Sequence, residues 1–140
     1  MTDWHERFLG LAEHIGTWSK DPSTKVGAVI VDPDKRIVST GFNGWPRGIP
    51  DNPDAQRDVK LHRTLHAETN AILFAHRDLA GCTLYVTHFP CAACAAIVIQ
   101  SGITAVVTRK PDMAFLTRWE ESLNHAAAMF RLANVQTVLL

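Results

Sequence analysis

Thr83-Leu84-Tyr85-Val86-Thr87, then Pro90-Cys91-Ala92-Ala93-Cys94 running on to Gln100, then Ala105-Val106-Val107-Thr108 is the stretch on which the fold turns. The first segment has the β-branched and aromatic content of a strand. Residues 91–100 read as a helix after the proline, and Ala105 to Thr108 read as the next strand. A strand, a short helix and a second strand make a parallel crossover unit. Downstream, Trp119, Leu123, Ala126 or Ala127, and Phe130 mark another helix, and Val135-Gln136-Thr137-Val138-Leu139 a last strand.

Upstream the pattern differs. Trp4, Phe8, Leu11, Ile15 and Trp18 recur at gaps of four and three, so they predict one apolar helical face with both tryptophans in the core. Asp3 and Glu6 stand in capping-box positions, and Pro22 closes the segment after Ser19-Lys20-Asp21. Val26-Gly27-Ala28-Val29-Ile30-Val31 is a nearly continuous apolar run, the mark of a strand covered on both faces. Asp32-Pro33-Asp34-Lys35 is a turn by composition, and Ile37-Val38 resumes strand character, which makes a hairpin. Residues 41–58 lose all periodicity, as functional loops do. A helix is predicted to begin around Arg63-Thr64-Leu65-His66, with Thr64 as its cap, and to run out by residues 77–81. The order αββαβαβαβ predicts a three-layer α/β/α domain on a mixed five-stranded sheet, one domain over residues 1–140.

Composition narrows the function. The chain has 140 residues, 46% apolar content, and 14 basic against 14 acidic side chains. Balanced charge removes the broad basic footprint of a duplex-binding protein, so nucleic acid is not the expected partner and a small molecule is. No apolar run is long enough to span a bilayer, and Met1-Thr2-Asp3-Trp4-His5-Glu6 lacks the features of a secretory leader, so the expected location is the cytoplasm. Three cysteines, two of them in C-x-x-C, do not suggest a secreted disulfide framework and read as metal chemistry ahead of redox chemistry.

His66-Ala67-Glu68 and Cys91-Ala92-Ala93-Cys94 supply that metal chemistry. One imidazole and two thiolates leave a fourth zinc position open for water, whereas a fourth protein ligand, with His62 or Cys82 nearest in sequence, would close the site into a structural one. Cys91 and Cys94 stand three apart at the first turn of a helix, so their sulfurs share a side, and the helix dipole favours thiolate. Glu68, two residues past His66, can reach the water rather than the metal. Zinc lowers the pKa of that water, and a neighbouring carboxylate can move its protons.

H-x-E followed by P-C-x-x-C is the signature of the zinc-dependent nucleobase deaminases. Together with His66-Ala67-Glu68-Thr69-Asn70-Ala71-Ile72, Gly41-Phe42-Asn43-Gly44-Trp45-Pro46-Arg47-Gly48 and Asp21-Pro22-Ser23-Thr24-Lys25-Val26-Gly27-Ala28, it resembles the deoxycytidylate (dCMP) deaminase family over most of the chain. The resemblance implies a cytidine deaminase-like fold and hydrolysis of dCMP to dUMP and ammonia, which supplies dUMP for thymidylate synthesis. It implies zinc on His66, Cys91 and Cys94, with Glu68 as proton shuttle in water's attack on C4. It places Asn43 on the substrate nucleotide, Phe89 and the backbone ahead of Pro90 against the base, and Lys25 among the substrate contacts. Lys25, Arg47, Arg109 and Lys110 are the candidate phosphate partners, and Lys25, Gly44 and Arg47 the candidates for an allosteric nucleotide. Such members are commonly homo-oligomers, often hexamers, regulated by dCTP and dTTP, with Mg2+ accompanying the effector. The extra Cys and His residues of a second, structural zinc are missing, so one zinc per chain is expected. Beside this stand a deaminase of the same fold acting on a 5-substituted dCMP, a free base, a nucleoside or a base in tRNA or single-stranded DNA, and a non-enzymatic zinc module. For Asn43 the plain alternative is a left-handed turn position.

Overall fold

The computed structural model describes residues 3–140; Met1 and Thr2, the start of the stretch read as lacking a leader, lie outside the described residues. Ten elements follow in the order α1 (Trp4–Gly16), β1 (Gly27–Val31), β2 (Ile37–Phe42), α2 (Arg57–Arg63), α3 (Ala67–Ala75), β3 (Thr83–Val86), α4 (Ala92–Gln100), β4 (Ala105–Thr108), α5 (Met113–Leu132) and β5 (Gln136–Leu139). The strands form one five-stranded sheet in the order β2-β1-β3-β4-β5. β1 runs antiparallel to β2 and β3, while β3, β4 and β5 are parallel. The mixed sheet and the three layers are as the sequence predicts.

Side-chain alternation builds the layers. Along β1, Ala28 and Ile30 enter one core while Val29 and Val31 enter the other. Leu84 and Val86 against Tyr85, and Val106 against Val107, divide in the same way. Phe8, Leu9, Ala12 and Ile15 of α1 close one face of the sheet. Ala67 and Ala71 of α3, Val98 of α4, and Ala126 and Phe130 of α5 close the other.

Two glycines fix how closely the helices approach. A Cβ on Gly27 would lie 1.8 Å from the Ala12 carbonyl oxygen of α1, and one on Gly41 would lie 2.5 Å from Ala67 O and Ala71 N of α3. The Ser39 hydroxyl donates to Ala71 O at 2.7 Å, and the Asn70 amide donates to Phe42 O at 2.8 Å. α3 is therefore locked onto β2, and its start carries His66 as N-cap and Glu68 in the first turn.

Several expectations are corrected. α1 ends at Gly16, short of the proline, and the tryptophans stay outside the core: Trp4 stacks on Phe8 and Trp18 lies edge-on to Phe42, both exposed. The close approach at Gly27 turns the helix so that Leu9 and Ala12 are the fully buried positions. β2 continues through Gly41 and Phe42, which sequence patterning assigns to the loop. That loop ends in a separate helix, α2, for which Thr64 is the C-cap, and α3 starts only after His66. No residue of α2 is buried, so it has no apolar periodicity to read.

Candidate active site

The carboxyl ends of β3 and β4, the start of β1 and the end of β2 meet at one edge of the sheet. Open α/β sheets bind ligands there. α3 and α4 both begin at this edge, with His66 and Cys91 as their N-cap residues. The His66 Nδ1 atom lies 3.2 Å from Cys94 Sγ and 3.6 Å from Cys91 Sγ. All three donor atoms fall within 4.8 Å of one another. Zinc with two sulfurs and one nitrogen in a tetrahedron requires ligand separations of about 3.5–3.8 Å, so the cluster fits that ion. Among the described residues no fourth His, Cys, Asp or Glu joins the cluster. Cys82 is buried in the core at the start of β3, and the His62 ring pairs with Asp58 O at 2.6 Å. The arrangement is open.

The ionisable groups of the cluster shift one another. The Cys91 thiol is held down to about 4, chiefly by its hydrogen bond with Cys94, aided by the His66 ring. Cys94 is pushed in the opposite direction by that same bond and by burial. A thiolate at Cys91 thus favours a proton on Cys94. His66 is raised, first by its hydrogen bond to Cys91. Glu68 is buried, and burial pushes its carboxyl up to about 7. A buried carboxyl poised near neutrality beside an open metal position suits proton transfer in both directions.

The cluster opens into a cavity of about 520 Å³, within the range of small-molecule sites. His66, Glu68 and Cys91 line it. So do Asn43 and Phe89, the latter edge-on to Phe130 at 5.9 Å. Asn43 is buried, and its backbone is not left-handed. Its Oδ1 accepts from Val26 N at 2.9 Å and its Nδ2 donates to Thr24 O at 2.8 Å, so one amide hydrogen and one lone pair remain for a ligand. Pro90 is fully buried beneath the cavity wall rather than on it.

The expected phosphate partners are elsewhere. Arg109 makes paired contacts of 2.9 Å to both Glu6 carboxylate oxygens and one of 2.7 Å to Glu13, all on α1. The Lys25 ammonium donates to Ser19 O, Arg47 lies over the Phe74 ring at 5.2 Å, and neither they nor Lys110 line the cavity. Strand parity explains Lys25 and Arg109. Val107 and Val29 face α1, so Arg109 and Lys25, an even number of residues away, face α1 too. Gly44 is bridged to Leu65 by backbone bonds of 3.1 and 2.8 Å and lines a second cavity of about 240 Å³.

Residues that sequence reasoning missed complete the wall. His88 lines the cavity half-buried; burial lowers its pKa, and its ring leans on Phe115 at 5.4 Å. Phe115, Arg118 and Trp119 of α5 and Arg57 and Lys60 of α2 also face the cavity. For α5 a signal existed: Asp112 caps it by accepting from Phe115 N at 2.8 Å, so the helix begins six residues before Trp119.

A three-layer sheet domain with an open nitrogen-and-sulfur zinc site and a buried carboxylate at the strand ends defines a hydrolytic zinc enzyme. Residues 2–110 match the family of the cytidine and deoxycytidylate deaminase zinc-binding region. The chain is 51% identical to an uncharacterized deaminase in the luxG 3′ region of Aliivibrio fischeri, over 100% of this chain and 95% of that one. It is 37% identical to the deoxycytidylate deaminase of Mus musculus, covering 95% of this chain and 77% of that protein. Among solved structures, the dCMP deaminase of cyanophage S-TIM5 in complex with dCMP and dUMP superposes with a TM-score of 0.79 at 25% identity, over 96% of this chain and 95% of that one. The chain belongs to the cytidine and deoxycytidylate deaminase family.

Proposed function

We propose that this protein hydrolyses dCMP to dUMP and ammonia, with zinc on His66, Cys91 and Cys94 and Glu68 as the catalytic residue. The observation that carries the reading is the cluster of three donor atoms within 4.8 Å, with buried Glu68 on the same cavity wall. An ion held there supplies the Lewis acidity that makes water a nucleophile near neutral pH. Glu68 takes the proton from the attacking water and delivers it to N3 of the cytosine ring. The C4–N4 bond then breaks, and Glu68 helps pass a proton to the departing ammonia, which leaves a uracil ring. The uncommitted amide hydrogen and lone pair of Asn43 orient the nucleotide, and Phe89 bounds the base. His88 and Phe115, in contact on the cavity lining, help exclude bulk water.

Finer features follow from the same reading. Exposed Leu73 and Phe74 on α3 and Ile97 on α4 support a homo-oligomer, and a hexamer accords with the family resemblance. The second cavity, with Gly44 on its wall, supports an effector such as dCTP or dTTP, with Mg2+ as its counter-ion. No helix among the described residues is long and apolar enough to cross a membrane, which accords with a cytoplasmic role in supplying dUMP.

The test is ammonia release by purified, zinc-loaded protein from dCMP, CMP, deoxycytidine, cytosine and guanine. Turnover concentrated on dCMP supports the assignment; preference for an unphosphorylated base overturns it.

A further inference from the structure

The sequence offers several cations for a substrate phosphate, and the fold removes most of them. Arg109 is engaged by two carboxylates of α1, and Lys20 is paired with Asp51 at 2.8 Å. Three cations line the cavity itself: Arg57 and Lys60 from α2, and Arg118 from α5. Among the described residues none of the three forms an ion pair.

Two different helices contribute them. Arg57, Lys60, Leu61 and Thr64 stand at spacings of three, four and seven, so a single face of α2 lines the cavity. On α5, Arg118 and Trp119 follow Ala114 and Phe115 by one turn, so one face of that helix lines it as well. The Arg118 guanidinium sits 5.7 Å from the Trp119 ring centroid, which favours a defined orientation over a freely swinging side chain.

The acids of the cavity have partners of their own. Besides Glu68, the cavity is lined by Asp21 and Asp112. Asp21 Oδ1 accepts from the backbone N–H groups of Ser23 and Thr24 at 2.8 and 3.1 Å, and Asp112 Oδ1 caps α5 through Phe115 N. Both carboxylates are held by backbone donors, while none of the three cations is held by a carboxylate. The three cations thus keep their donors available to an anionic ligand.

We infer that Arg57, Lys60 and Arg118 grip the 5′-phosphate of the substrate and make the enzyme select nucleoside monophosphates over nucleosides. The inference rests on the proposed deamination and names its specificity determinants. A phosphate bound between α2 and α5 would leave the base to extend toward Glu68 and the metal ligands. Arginine suits the role because its planar donors can meet two phosphate oxygens at once.

The test uses zinc-loaded full-length protein and the single substitutions Arg57→Gln, Lys60→Gln and Arg118→Gln, each checked for unchanged melting temperature and zinc content. The readouts are the ratio of kcat/KM for dCMP to that for deoxycytidine, and the ratio of affinities for dUMP and deoxyuridine by calorimetry. Both ratios should fall about tenfold or more in at least Lys60→Gln and Arg118→Gln, the scale of one lost charge-assisted contact. Equal losses with phosphorylated and unphosphorylated ligands, or unchanged ratios in all three variants, would overturn the inference. If the unsubstituted protein itself does not prefer dCMP to deoxycytidine, the nucleotide-level reading of its function fails instead.

Discussion

Glu68 and Cys91 share a wall of the cavity, but their substitutions should separate cleanly. Glu68 lies outside the three-residue donor cluster, so Glu68→Gln should keep one zinc per chain and lower the rate of dCMP turnover by roughly 10²–10⁴-fold, the usual contribution of a positioned acid–base group. Metal analysis beside the ammonia assay checks both halves, and near-normal turnover would remove Glu68 from its role. Cys91→Ala should instead lose the metal, because two remaining donors make a poor zinc site. Full zinc occupancy in that variant would contradict the ligand assignment. Asn43 is a different case. Its side chain satisfies the Val26 N–H and the Thr24 carbonyl at the entry to β1. Asn43→Ala should therefore cost about 1–3 kcal/mol of folding stability in a denaturant titration, in addition to any loss of substrate affinity.

The site depends on elements that have no chemistry of their own. β2 approaches α3 so closely at Gly41 that even a methyl group would meet backbone atoms at 2.5 Å. Gly41→Ala should push α3 outward, lower the melting temperature and speed zinc release to a chelator, since His66 and Glu68 ride on the start of that helix. Zinc release at the unsubstituted rate would show that α3 accommodates the methyl without moving. The layout of strands and of the large helices was legible because each carries a buried apolar pattern: β1 alternates between two cores, and α5 shows Leu123, Ala126 and Phe130. The donor cluster was legible because its two motifs are each local, H-x-E at residues 66–68 and P-C-x-x-C at residues 90–94. The phosphate candidates were not, because closeness to a strand end says nothing about face. Counting parity from Val107 and Val29 would have sent Arg109 and Lys25 to the α1 side. α2 could not be read at all, since a helix with no buried residue leaves no periodic trace.

At the scale of the whole molecule, charge is balanced. Formal net charge zero removes long-range attraction between enzyme and nucleotide, so any salt dependence must come from charges at the cavity. Arg57, Lys60 and Arg118 are those charges, and they act on the dianionic phosphate over a few ångströms rather than across the surface. Raising ionic strength from about 0.1 M to about 1 M shortens the screening length from ~10 Å to ~3 Å. Exposed Arg57 and Arg118 should feel that change, while the buried chemistry at Glu68 should not. The expected outcome is a KM for dCMP that rises several-fold with salt at constant kcat, while kcat/KM for deoxycytidine stays flat. Steady-state kinetics over a sodium chloride series checks this. A parallel fall for both substrates would instead locate the salt effect in the fold or the metal centre, and a flat response for dCMP would mean that the phosphate is held away from solvent-exposed charge.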